Sequence, residues 1–245
     1  TFPVFLHHTG MDKKHKRTPL TAIYGDDPAA MTELLLSAIS LGSSIAKGVS
    51  IAIKPNLVVA SPSSEGGTTT PEIIKGIIRH LQDHGHDDIS VIEGSWIGDS
   101  TKRAYKVCGY QKISQDTGVP MIDLKEDDTT ERSIDGRSYE LCRKALEADV
   151  LINVPVLKGH CQTRMTGALK NLKGCIPDSE KRRYHSLGLH GPIADINRLL
   201  KPDWIIMDAI CGDLSFEEGG DPSTMHRMIA GTDPVLIDSY GCSLM

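Results

Sequence analysis

The sequence predicts one α/β domain over residues 1–245, with a mostly parallel central sheet, helices on both of its faces and a small hairpin excursion. Three observations lead there. Runs such as "VSIAIKPNLVVA" (49–60) and "DVLINVPVL" (149–157) are apolar at consecutive positions, as strands buried on both faces require. Segments with an apolar period near 3.6 residues separate these runs, which is the alternation of a parallel sheet covered by helices. Aromatic residues make up only 4% of the chain, so Ile, Leu, Val, Ala and Met must build the core.

Taken in order, "DPAAMTELLLSAISLG" (27–42) reads as a helix closed by Gly42. The first strand is "VSIAIKPNLVVA", stopped by Pro and Asn. In "TPEIIKGIIRHLQDHG" (70–85), Thr70 is placed as N-cap and Pro71 at the first helical position. Ile73, Ile74, Ile77, Ile78 and Leu81 then share one face, and Gly85 ends the helix. "DISVIEGS" is the next strand, "STKRAYKVCGYQKISQDTG" (100–118) a helix broken near Gly109, and "VPMIDLKED" another strand. "TTERSIDGRSY" (129–139) centres an Asp-Gly turn between polar arms, the mark of a hairpin. "DVLINVPVL" and "DWIIMDAICG" (203–212) are further buried strands, with "PIADINRLL" helical between them. "MHRMIAGTDPVLID" (225–238) supplies a short strand, a turn and the start of a last helix.

The bulk properties exclude several classes. A net charge of −5 and a pI near 6.0 oppose a nucleic-acid binder that relies on broad electrostatic attraction. No apolar run approaches the ~20 residues of a membrane-spanning helix. The opening "TFPVFLHHTGMDKKHKR" lacks the basic-then-apolar order of a secretory signal. Cys108, Cys142, Cys161, Cys175, Cys211 and Cys242 are widely spaced with no C-x-x-C, which excludes a local zinc ribbon or ferredoxin-type motif. Reduced thiols and a cytoplasmic location are the expectation. A site assembled from cysteines distant in sequence stays open.

The densest chemistry lies in "NVPVLKGHCQTRMTGALKNLKGC" (153–175), where a strand passes through a loop into a helix. With that helix starting near Met165, Thr166, Lys170 and Lys173 fall on one flank of its core face. Two ammonium groups one turn apart repel unless an anion sits between them, and a helix N-terminus adds free N–H groups. Lys158, His160 and Arg164 add to the cationic character. Cys161 is the leading candidate for a reactive thiol.

The ends of the strands give a second argument. Ligands of open parallel sheets bind outside the strands' carboxyl ends. Lys54, Asn56, Glu93, Ser95, Lys158, His160 and Asp208 all leave predicted strands there and are expected to converge. Such a set can bind an anion, move protons or hold a divalent cation. "GGTTTPE" (66–72) matches no nucleotide motif, and a loop with an N-cap is its plainer reading. His80 and His84 have the i, i+4 spacing of a metal pair, with His86 close by, but helix-end histidines also suit the dipole. His7 and His8 would point to opposite faces of a strand. His185, beside Arg182 and Arg183, falls in what reads as a basic loop.

"IKPNLV", "TTTPEIIKGIIRHLQDHG", "GDSTKRAYKVCGY", "LINVPVLKGHCQTRMTGALKNLKGCI" and "AGTDPVLID" together resemble the prokaryotic family catalogued as domain of unknown function 362, collinearly over about residues 45–240. The resemblance implies a microbial α/β domain, often in redox settings. Longer members carry a ferredoxin-type iron–sulfur domain, which has no counterpart in this sequence. The leading expectation is an enzyme for a small anionic metabolite. Lys54, Asn56, Ser95, Lys158, Thr166, Lys170 and Lys173 would bind it, and His160, Glu93 and Asp208 would transfer protons, with a divalent metal as the cofactor such a set admits. The rival is an iron–sulfur, redox-accessory or metal-delivery protein with a redox partner and cysteines gathered in space.

Overall fold

The structure is a computed structural model that describes residues 6–8 and 20–245. Among these residues, eight strands form the central sheet. Their spatial order is Leu6–His8, Leu20–Tyr24, Pro222–Gly231, Trp204–Asp213, Val150–Asn153, Ile51–Lys54, Ile89–Glu93, Met121–Asp123. The last five are mutually parallel. The first three join them through antiparallel pairings. Parallel pairing therefore holds over the larger part of the sheet, and the antiparallel end comes from one long hairpin, Trp204–Asp213 with Pro222–Gly231. The sequence reading had a shorter second strand there and no strand at Leu20–Tyr24.

Alternation along the strands sends side chains into cores on both faces. Ile51 and Ile53 pack with Ile73, Ile74, Ile77, Ile78 and Leu81 of the helix Pro71–Asp83, all fully buried. Ala52 and Leu151 face the opposite side, toward Tyr184, Ile193 and Ile196. Each such aliphatic side chain contributes about 1.5–3 kcal/mol on burial. Asp27 and Asp233 cap their helices by accepting backbone N–H bonds, and Pro follows each directly. Gly109, at φ 81°, breaks the predicted helix into Thr101–Val107 and Tyr110–Thr117. Asp135 and Gly136, both at positive φ, form the turn of the hairpin Thr129–Ile134/Arg137–Cys142.

Three local expectations are corrected. The first helix, Pro28–Ala38, is closed by Ser40 in the left-handed region, not by Gly42, which enters a further short helix, Leu41–Ser44. The segment around His185 is helical, Asp178–Leu187. The stretch after Val156 is a β-hairpin, Lys158–His160 paired with Arg164–Thr166, and the helix begins only at Ala168.

Candidate functional site

Between Ile51–Lys54 and Val150–Asn153 the chain order of the sheet reverses, because successive strands were laid down outward from Ile51–Lys54 before the chain returned to its other side. A crevice at the carboxyl ends follows from that reversal. Lys54 and Glu93 end adjacent strands and meet as a buried ion pair at 2.8 Å. Lys54 Nζ also donates to Pro55 O (2.8 Å) and Asn171 Oδ1 (3.1 Å), while Glu93 accepts from Leu57 N (2.7 Å) and Gly94 N (2.8 Å). Asn171 ties this pair to Asn56 (2.9 Å) and Asn153 (2.8 Å). A side chain on Gly174 would collide with both Glu93 and Lys54, so glycine there permits the close approach. Breaking one half of such a pair strands a buried charge, which is why its hydrogen bonds are complete.

Above this floor sits the Lys158–His160/Arg164–Thr166 hairpin. Its loop turns back so that Gln162 N (3.1 Å) and Thr163 N (3.2 Å) both donate to His160 Nδ1. A ring nitrogen that accepts N–H bonds carries no proton, so neutral His160 holds its proton on Nε2. That atom faces Glu217 Oε1 at 3.6 Å. Burial, reinforced by the charge of Lys170, pushes His160 down to about 4, and the ring is neutral near pH 7. Thr166 is buried on the same wall, and its hydroxyl has no hydrogen-bond partner.

Lys170 and Lys173 form the adjoining wall. Lys170 is half-buried and makes no hydrogen bond or ion pair among the described residues. Burial, then the neighbouring Lys173, pulls its amine down to about 7. Lys173 Nζ lies 2.9 Å from His185 Nε2 and is pulled down to about 8 by burial and by Lys181. Lys181, by contrast, is held by Gly94 O (3.1 Å), Ser95 O (2.8 Å) and Asp178 (3.1 Å). Together these groups enclose a cleft of about 230 Å³, whose lining also includes the apolar Trp96, Ile97 and Val58 and the acidic Glu217 and Glu218. That space suits a small metabolite.

Residues 51–243 match the family described as "Domain of unknown function (DUF362)". The chain belongs to this family. A thylakoid-associated protein of the cyanobacterium Synechocystis sp. is 26% identical over 226 residues, which cover 86% of this chain and 67% of that protein. The lactate racemase apoprotein from Thermoanaerobacterium thermosaccharolyticum shares the fold, with a TM-score of 0.59 at 11% identity over 90% of this chain. This chain spans 55% of that structure's length, and at such low identity the likeness is one of architecture.

Of the residues singled out in this DUF362 sequence, Lys54, Asn56, Glu93, Ser95, His160, Thr166, Lys170 and Lys173 line the one cleft. Thr166, Lys170 and Lys173 reach it from a strand, a short helix and the turn that follows, not from one helix flank. The free helix N–H groups expected there are already taken, because Asp238 accepts from Ala168 N (2.6 Å) and Leu169 N (3.0 Å). Lys158 and Asp208 do not line the cleft. Lys158 Nζ is buried and donates to Gly67 O (2.5 Å), Glu217 O (2.5 Å) and Asn56 Oδ1 (3.2 Å), clamping two loops together. Asp208 accepts from Thr70 N (2.8 Å) and Ile210 N (3.1 Å) in the interior, and burial raises its carboxyl. Both carry polar groups that the backbone claims first.

The remaining candidates are structural or altered. Thr69 Oγ1 accepts from Asn56 N and donates to Val154 O, both at 2.8 Å, so the "GGTTTPE" loop is stitched to the sheet. His80 accepts from Gly42 N (3.3 Å) and His86 contacts Gly42 O (2.8 Å), while His84 bonds back to His80 O (2.7 Å). His7 and His8 form strand backbone, with side chains outside the described residues. The Cys161 thiol donates to Glu217 Oε1 (3.2 Å), which pulls it up, away from thiolate character.

His160, Cys161 and Glu217 each bring one donor atom within 4.8 Å of the others, the sole such metal-type group among the described residues. It contains one cysteine, and the other five lie elsewhere as free thiols. The ring atom of His160 that faces Glu217 is Nε2, so ligation there would move the ring proton to Nδ1 and give up the two loop N–H bonds it accepts. The imidazole, thiol and carboxylate together form a donor set that could hold a metal ion. Sequence reasoning missed Asn171, Lys181, Trp96 and Glu217. Lys181 directly precedes the stretch read as a basic loop around His185, which is part of a helix, and "SFEEGG" has no periodicity to mark Glu217.

Proposed function

We propose that this DUF362 protein is an enzyme that binds a small anionic metabolite, a carboxylate or phosphate, at the carboxyl edge of its parallel strands and moves a proton on it. One observation carries the reading. Among the described residues, Lys170 and Lys173 face the cleft with no carboxylate within ion-pair distance, beside a buried Thr166 hydroxyl that has no hydrogen-bond partner. An oxyanion supplies the acceptor that Lys170 and Thr166 lack and the counter-charge that the His185-bonded Lys173 lacks, and an unmet buried polar group costs about 1–3 kcal/mol. In the floor below, Lys54 and Glu93 already neutralise each other, while on the wall Lys170 and Lys173 feel Glu217 without forming an ion pair with it.

The proton chemistry rests on two groups. His160 presents a neutral Nε2–H donor, suited to polarising a carbonyl or phosphoryl oxygen. Lys170, with an amine near neutrality, can serve as acid or base at pH 7. The expected result is that sulfate, phosphate or small carboxylates raise the melting temperature of the parent protein and not of Lys170→Ala/Lys173→Ala. Equal stabilisation of both would return the lysines to a solvated surface and remove the site.

A further inference from the structure

We propose that Lys170 is a nucleophilic residue that forms an imine with a carbonyl-bearing carboxylate, a 2-oxo acid, held in the cleft. The inference rests on the anion reading and adds the substrate class and a covalent role. Its geometric basis is the contrast among four lysines of one region. Lys54 is committed to Glu93 and two further acceptors, Lys158 to three acceptors, and Lys181 to two carbonyls and Asp178. Lys170 alone is half-buried yet makes no hydrogen bond or ion pair among the described residues.

An amine becomes nucleophilic when desolvation and a second cation disfavour its ammonium form. Lys170 has both, burial first and Lys173 second, which bring its amine down to about 7. A solvated lysine at pH 7 is free amine at roughly one part in a thousand or less. Lys173 and the Thr166 hydroxyl then remain to hold the carboxylate, and the His160 Nε2–H to polarise the carbonyl.

The step balances without an oxidant. The Lys170 Nζ lone pair attacks the carbonyl carbon, the C=O π pair moves to oxygen, and a proton passes from nitrogen to oxygen to give a carbinolamine. The Lys173 ammonium then protonates that hydroxyl, which departs as water. The nitrogen lone pair closes the C=N bond, giving an iminium on Lys170, and Lys173 is left as an amine. An amine near 8 can act as that acid and recover its proton from water.

The test is reduction of the protein in the presence of pyruvate or glyoxylate with cyanoborohydride, followed by peptide mass spectrometry. The expected result is a reduced adduct at Lys170 enriched at least about tenfold over every other lysine, and absent in Lys170→Arg. Lys170→Arg retains the cation and should still be stabilised by sulfate, which shows that it folds and binds. Competitive acylation at pH 7 provides a substrate-free measure, with Lys170 expected to be the fastest-labelled lysine. No selective adduct from either acid, in a protein that both acids stabilise, would overturn the imine and leave the anion site standing. No stabilisation by any anion would instead sink the reading beneath it. Labelling spread evenly over surface lysines also overturns the proposal.

Discussion

Binding of a fixed-charge anion such as sulfate should weaken steeply as pH rises from 6 to 9. Lys170 and Lys173 attract an anion only as ammonium groups, and in the free protein they titrate near 7 and 8. At pH 6 nearly all molecules carry both charges. At pH 9 about one in a thousand does, so affinity falls about a thousandfold, or about 4 kcal/mol at ~1.4 kcal/mol per decade. Use of one lysine alone would reduce the effect to about tenfold to a hundredfold. The stability of the ligand-free chain should move the opposite way. Both folded-state values lie below the unfolded value of about 10.4, so from pH 7 upward the unfolded chain binds more protons and stability rises with pH. Sulfate titrations by calorimetry at constant ionic strength, with denaturant melts of the free protein, measure the two slopes. Lys170→Met and Lys173→Met should each flatten both. A sulfate affinity that is level between pH 6 and 9, or equally pH-dependent in the variants, would refute the assignment of these lysines to the anion.

Three further outcomes follow from the interior. Lys54→Met leaves the Glu93 carboxylate buried without its cation and should cost about 3–5 kcal/mol in denaturant unfolding, with Lys54→Met/Glu93→Gln costing distinctly less; an equal or larger loss in the double variant would deny the pair. Lys158→Met removes the donor that joins Gly67 O to Glu217 O. It should cost about 2–4 kcal/mol and speed amide exchange over residues 213–221, and unchanged exchange there would show that the clamp does not hold that loop. Asp208→Asn should lower stability by about 1–2 kcal/mol and leave sulfate affinity within about twofold, because Asp208 serves Thr70 N and Ile210 N, not the cleft; a larger loss of affinity would restore it to the site.

The parts of the fold that were readable in the sequence are those that local physics decides. Consecutive apolar residues mark Ile51–Lys54 and Val150–Asn153 because a strand covered on both faces has no polar side to show. Gly109 and the Asp135–Gly136 turn were legible because few residues occupy positive φ without strain. Leu20–Tyr24 was not, since a five-residue strand of the antiparallel half acquires its identity from pairing with Pro222–Gly231, about 200 positions later. The same limit explains the misplaced helix start. Thr166-Gly167 looks like a cap, but Gly167 is extended and Asp238 from the last helix claims the first two N–H groups.

For the site, residue type told less than the company each residue keeps. Lys54, Lys158, Lys170 and Lys181 are chemically the same side chain, all near one sheet edge, and the sequence offers no basis for separating them. The fold does so by supplying acceptors. Backbone carbonyls at Gly67 and Glu217 consume Lys158, those at Gly94 and Ser95 consume Lys181, and Glu93 consumes Lys54. Each of these partners comes from a segment remote in sequence, so no local pattern could assign them. Lys170 is left over because the turn after Ala168–Asn171 points a second lysine, not a carboxylate, beside it. An unsatisfied cation inside a protein is unfavourable for folding, and burial lowers its proton affinity in partial compensation. The free amine that results is a reactive group, and the strain that disfavours its charge in the empty cleft is what an incoming anion relieves.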